Sequence, residues 1–148
     1  MERLDLRRII ALGLVLVGLL GSPLAALARG DFAIGQAWAE QVLAEAFKNR
    51  QSNILIQGHG VVEKLLKDDN DGHRHQRFIL RLASGQTLLV AHNIELAPRI
   101  EDLAVGDRVD FLGEYEWNPK GGLIHWTHRD PAGKHPAGWL RHQGRIYQ

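Results

Sequence analysis

Three features of this 148-residue chain predict a mainly β fold: a small five-stranded antiparallel barrel with one N-terminal helix and a structured C-terminal tail. Only residues 33–48 carry a helical pattern. From Ser52 onward, short apolar runs alternate with polar residues and are punctuated by Gly-, Asp- and Asn-rich turns. Strand-like runs never alternate with further helical ones, which argues against a βαβ architecture. Apolar residues make up 45% of the chain and charged residues 24%, so a packed core is within reach and wholesale disorder is not expected.

In chain order, residues 1–28 read as a secretory signal peptide. Arg3, Arg7 and Arg8 precede the apolar run Ile9 to Leu20, Gly21-Ser22-Pro23 breaks it, and Ala26-Leu27-Ala28 fits a cleavage site before Arg29. Twelve helical residues rise only about 18 Å, short of a bilayer core, so no stable membrane span is expected after cleavage. The chain is expected in the periplasm or secreted, as a single domain over 29–148. Asp31 is the candidate N-cap of the helix 33–48, and Ile34, Trp38, Val42, Ala46 and Phe47 are its expected buried face. Trp38 and Phe47 are therefore read as core.

The barrel is expected over 52–128. Asn53 to Leu66 is one long extended stretch that Gly58-His59-Gly60 allows to bend. Gln76 to Leu82 alternates Phe78, Leu80 and Leu82 with Arg77, Ile79 and Arg81. Ser84-Gly85 turns the chain into Gln86 to His92. A connector with Pro98 leads to Arg108–Trp117, and Asn118 to Gly122 turns back into Leu123 to Thr127. The Gly-Asp-x-Val-x-Phe-x-Gly segment, Gly106 to Gly113, resembles the start of the fourth strand of an OB-fold barrel, and its place after three strands and before one strengthens that reading. In such barrels the ligand face lies across the second and third strands and the loops at their ends. The tail, 129–148, is expected to pack back through Trp139, Leu140, Ile146 and Tyr147.

Three stretches taken together resemble a known family: Ala91 to Ile100 (AHNIELAPRI), Gly113 to Asn118 (GEYEWN) and Gly121 to Pro131 (GGLIHWTHRDP). They are similar to domain-of-unknown-function family 3465, small exported bacterial proteins, over nearly all of 29–148. The resemblance implies export; it carries over no activity.

Cysteine is absent, which excludes a disulfide scaffold, a thiolate zinc site, an iron–sulfur cluster and a cysteine nucleophile. Removing residues 1–28 takes three basic and two acidic side chains, leaving fifteen of each, so the exported chain lacks the overall basicity usual in phosphate-clamping proteins. Charge is still segregated. Six acidic residues face one arginine over 101–116, whereas 120–148 holds five basic residues and one aspartate. There is no P-loop, dinucleotide fingerprint or serine–histidine nucleophile motif.

All eight histidines lie between His59 and His142. His75, His92, Asn93, Arg99, His125, Trp126 and His128 are the candidates for a polar groove that binds an anionic ligand (nucleic acid or phosphate-bearing) or a sugar-like one. Strand ends place His92, Asn93 and Arg99 beside His125 and His128. The plainer reading of Trp126 is a plug for one barrel end. An enzyme is the alternative: Glu114 and Glu116 share a strand face and, with Arg99 and His128, could serve a metal-assisted phosphodiesterase or nuclease, one carboxylate activating water while arginine holds phosphate. The structural counterpart of that reading pairs the two glutamates with Arg129 or Arg141. A periplasmic metal-binding protein is a third possibility, with zinc or copper held by His128, Asp130, His135 and His142, although no compact ligand box such as HExxH is present. A monomer is expected.

Overall fold

The computed structural model describes the backbone of residues 23–148 and side chains from Gly35 onward. Most of the expected signal peptide, residues 1–22, therefore lies outside the described residues. Helix α1 runs Pro23–Lys48, followed by strands β1 (Ile54–Leu65), β2 (His75–Arg81), β3 (Thr87–Asn93), β4 (Arg108–Glu116), β5 (Leu123–His125), β6 (Trp139–His142) and β7 (Arg145–Tyr147). The helix begins ten residues before the position predicted, so Asp31 lies inside it and is not an N-cap. Among the described residues no helix is long and apolar enough to cross a membrane.

The first five strands close into a barrel in the order β1-β2-β3-β5-β4, with β4 returning to β1. The small OB-like barrel is thus observed, with one correction. β3 and β5 run parallel, with Leu89 opposite Leu123 and Val90 opposite Ile124. The cause is topological: an odd ring of strands cannot alternate direction at every seam, so one pair must be parallel. The fifth strand also stops at His125 instead of Thr127.

β1 serves two neighbours. Its first half pairs with β4 from Ile54 opposite Tyr115 to Val61 opposite Arg108, and its second half pairs with β2 from Val61 opposite Arg81 onward. Gly60 sits at the changeover, where a Cβ would lie 2.9 Å from the Arg81 carbonyl oxygen. A second close approach occurs at Gly113 on β4, whose added Cβ would come within 2.5 Å of the His125 carbonyl oxygen. Phe78, Leu80, Leu88, Val90, Val109, Phe111, Tyr115 and Ile124 fill the interior, each fully buried.

The tail is structured, as expected. β6 pairs with the first half of β4, from Val109 opposite His142 to Leu112 opposite Trp139, and β7 folds back on β6. Leu140 and Tyr147 are buried, whereas Ile146 stays exposed. The helix turns Ala39, Leu43 and Ala46 to the barrel, and the small alanines permit close approach. Trp38 lies one position off that stripe and is 61% exposed, so it is not the core residue that the spacing suggested; Phe47 is only half-buried. Glu40 anchors the helix by accepting from the Ala83 and Ser84 amides (3.2 and 2.7 Å), and Trp117 Nε1–H donates to the Phe47 carbonyl at 3.1 Å.

Gly113→Ala is expected to lower stability by roughly 2 kcal/mol or more, because its Cβ meets the His125 backbone oxygen first and then the buried side chains of Ile124 and Thr127. Gly35→Ala meets nothing within 4 Å and is expected to stabilise by up to about 1 kcal/mol. Urea denaturation of the two variants checks both the sign and the contrast.

Candidate functional site

Strand alternation gives the barrel wall an outer face. On β2 it carries His75, Arg77, Ile79 and Arg81, and on β3 Thr87, Leu89 and Ala91. Across this face and the loop between β4 and β5 lies a cavity of about 470 Å³. Ile79, Leu89, Leu66 and Pro119 give it apolar walls, and Lys64 and Lys120 bring two ammonium groups. The loop wall is fixed. Asn118 Oδ1 accepts from the amides of Lys120 and Gly122, Gln86 Nε2–H donates to the Gly121 carbonyl at 2.8 Å, and the Leu89 amide donates to the Gly122 carbonyl at 3.0 Å. Gly122 must be glycine, because a Cβ would fall 2.0 Å from the Tyr115 ring at a φ of +117°.

The same wall continues onto β5 and β4. Arg77 is opposite Ala91, two residues on from Leu89, and His125 stands two residues on from Leu123, with Glu114 opposite it. Over this end folds the segment 126–138. His135 donates Nδ1–H to the Pro136 carbonyl at 2.8 Å, and its Nε2 lies 2.9 Å from Glu114 Oε2. Carbonyl and carboxylate both only accept, so this geometry favours the doubly protonated ring. Burial opposes that charge, but the Glu114 and Pro136 hydrogen bonds and the charges of Glu114 and Asp130 outweigh it, and the pKa of His135 is raised. The His125 Nε2 is buried without a hydrogen bond, 3.6 Å from Glu114 Oε1 and 3.5 Å from Glu116 Oε2. Burial lowers its pKa despite the two carboxylates.

Trp126 links this cluster to the barrel rim. Its ring stacks on His135 at 4.1 Å and lies 5.3 Å from His128, while its own backbone takes a left-handed φ of +52°. At the rim, His92 is fully buried. Its Nε2–H donates to the Pro98 carbonyl at 3.1 Å, so its Nδ1 accepts from the Thr127 hydroxyl at 2.8 Å. Burial first, then the nearby His128 and His75, hold its pKa down at about 4; only the Pro98 hydrogen bond works the other way.

The sequence candidates thus divide. His75 and His128 lie near enough to His92 for their charges to lower its pKa, but His92 is fully buried and lines no open groove; His125, Trp126, Glu114 and Glu116 form the adjoining cluster. Asn93 is buried and turns the chain, its Oδ1 accepting from the Glu95 amide. Arg99 pairs with Asp68 and Glu101, and among the described residues no contact joins it to Glu114 or Glu116. The four proposed metal ligands are dispersed. His128 donates Nδ1–H to the Arg129 carbonyl, Asp130 accepts from the amides of Ala132, Lys134 and His135, His135 pairs with Glu114, and His142 with Asp107 at 2.8 Å. Among the described residues no three His, Asp or Glu side chains are arranged to hold a metal ion. Glu114 pairs with histidines, not with Arg129 or Arg141; Arg141 instead holds Asp110.

Lys64, Leu66, Pro119 and Lys120 were not singled out by the sequence. The available signal was Ile79, an apolar residue on the outward, otherwise arginine-bearing side of its strand.

Among known families, the model described as protein of unknown function (DUF3465) matches residues 27–148, a span that contains the whole barrel and every candidate site residue. No curated protein matches the chain.

His92 and His135 give stability opposite pH dependences. His92 has a folded pKa below its unfolded value, so the unfolded chain binds more protons between about 4 and 6.5 and stability is lost as pH falls through that window, by roughly 3 kcal/mol in full. His135 has a raised folded pKa, so its contribution is complete below the unfolded value and is lost as pH rises through the folded one. Urea midpoints across pH should fall on both sides, and His135→Gln should flatten the alkaline side alone.

Proposed function

We propose, for a chain that belongs to the DUF3465 family, a binding function: an exported module that takes an anionic ligand on the outer face of β2 and β3. The observation that carries this reading is the preformed cavity there, whose apolar walls are flanked by Lys64 and Lys120. Its volume falls within the range of small-ligand pockets, roughly 300–1,000 Å³, and OB barrels bind oligonucleotides and oligosaccharides on this face. The apolar walls suit a ring or acyl body, and the two ammonium groups suit phosphate or carboxylate. No tryptophan, tyrosine or phenylalanine lines the cavity, so base stacking is a poor fit and a short anionic ligand a better one. The proposed export to the periplasm or beyond is supported by the charged, apolar and small-residue pattern of residues 1–28.

The phosphodiesterase reading has less support. Its arginine is engaged by Asp68 and Glu101, while its carboxylates face His125 and His135.

Calorimetric titration at low salt with pyrophosphate, a digalacturonate and a short oligothymidylate tests the binding reading. At least one of the first two should bind, more weakly as salt rises, and Lys64→Glu with Lys120→Glu should weaken it by about tenfold or more, ~1.4 kcal/mol. Unchanged affinity in the double variant would remove the cavity from the account.

A further inference from the structure

On the opposite side of β1, the helix leaves a second opening. A cleft of about 320 Å³ lies between α1 and the wall formed by β1, β4 and β6, lined by Gln36, Trp38, Gln57, His59, Asp110 and Arg141. We propose that this cleft is a binding site for an uncharged saccharide, separate from the face across β2 and β3.

The cleft has a defined width. Gln36 grips β1 at both ends of its amide: Oε1 accepts from the His59 amide at 3.0 Å, and Nε2–H donates to the His59 carbonyl at 3.2 Å. That grip sets the distance from helix to strand. Gly58 contributes backbone alone, and any Cβ there would meet the Phe111 ring at 3.0 Å. The opening is therefore part of the packing and does not depend on one side-chain rotamer.

Its chemistry selects against charge. Asp110 is bracketed, Oδ1 by Arg108 at 2.9 Å and Oδ2 by Arg141 at 2.9 and 2.7 Å. Within the lining, Asp110 and Arg141 neutralise each other, so a charged ligand finds no unpaired counter-charge there. Burial, followed by the charge of Arg108, lowers the pKa of His59, so this ring too stands uncharged at neutral pH. A ligand rich in hydroxyls needs no counter-charge, because each hydroxyl can donate to amide oxygen and accept from guanidinium or amide N–H.

Trp38 supplies the other half of the recognition. It sits off the helix's buried stripe with 61% of its surface exposed, at the mouth of the cleft. A broad apolar ring beside polar groups matches a pyranose, which has one face of C–H bonds and an edge of hydroxyls. An apolar ligand would cover the Gln57 amide without giving it a partner.

The test uses maltotriose, cellotriose and triacetylchitotriose, titrated into isotopically labelled protein while the Trp38 indole N–H is followed by NMR. Trp38→Phe identifies that resonance. At least one of the three should shift it saturably with an affinity of roughly millimolar order, together with the amides of Gln57 and His59. Trp38→Ala and Gln57→Ala change exposed side chains, and each should weaken binding by about tenfold with the fold intact. The proposal is overturned if none of the three moves the Trp38 resonance up to ~20 mM, or if both variants bind as well as the parent.

Discussion

Everything in this molecule hangs on β1 being shared between two neighbours. Its first half closes the barrel against β4 and its second half opens the meander with β2, and the change of partner takes place at Gly60, where backbone approaches backbone too closely for a Cβ. That arrangement fixes the strand order, and the order fixes which surfaces are available. The outer side of β2 and β3 stays uncovered because the helix docks elsewhere, through Glu40 to the β2–β3 turn and through Trp117 to the helix end. A cavity with apolar walls and two lysines is what remains there.

The second organising contact is the Glu114–His135 ion pair. It draws the segment 126–138 over the wall of β4 and β5, stacks His135 on Trp126, and holds Trp126 in a backbone conformation that a large side chain seldom adopts. The same fold-over leaves His125 with a buried nitrogen between two carboxylates and no hydrogen bond. An uncompensated polar atom of this kind costs stability, so the Glu114–His135 pair is what keeps this end closed. Burial holds the pKa of His92 down, whereas the hydrogen bonds to Glu114 and Pro136 raise that of His135.

Much of the fold could be read from sequence because it depends on local pattern. Phe78, Leu80 and Leu82 announce a half-buried strand, Gly58 to Gly60 a bend, and the tail residues Leu140 and Tyr147 a surface that must be covered. The parallel seam between β3 and β5 could not be read from any single strand; it is a property of a closed ring of five. Trp38 misled because helical spacing fixes a face only to within one residue, and Ala39, Leu43 and Ala46 make a better stripe for close packing. The site was harder. Histidine density suggested a polar groove, but His92 is fully buried and spends both ring nitrogens on Pro98 and Thr127. Arg99, Asp130 and His142 are likewise each taken by local partners that sequence distance concealed, namely Asp68, three loop amides and Asp107. Lysines on a strand and a loop carry no pattern of their own, so Lys64 and Lys120 become visible only when the barrel brings them together.

The central claim is that the uncovered face of β2 and β3 receives the ligand. Amide chemical-shift mapping of labelled protein with pyrophosphate at low salt addresses it directly. The account predicts that the largest shifts fall on Lys64, Ile79, Leu89 and the loop 118–122, with the rim histidines and the β6–β7 hairpin little changed. Shifts centred instead on His125, Trp126 and His135, or scattered over the arginines of the tail, would contradict it.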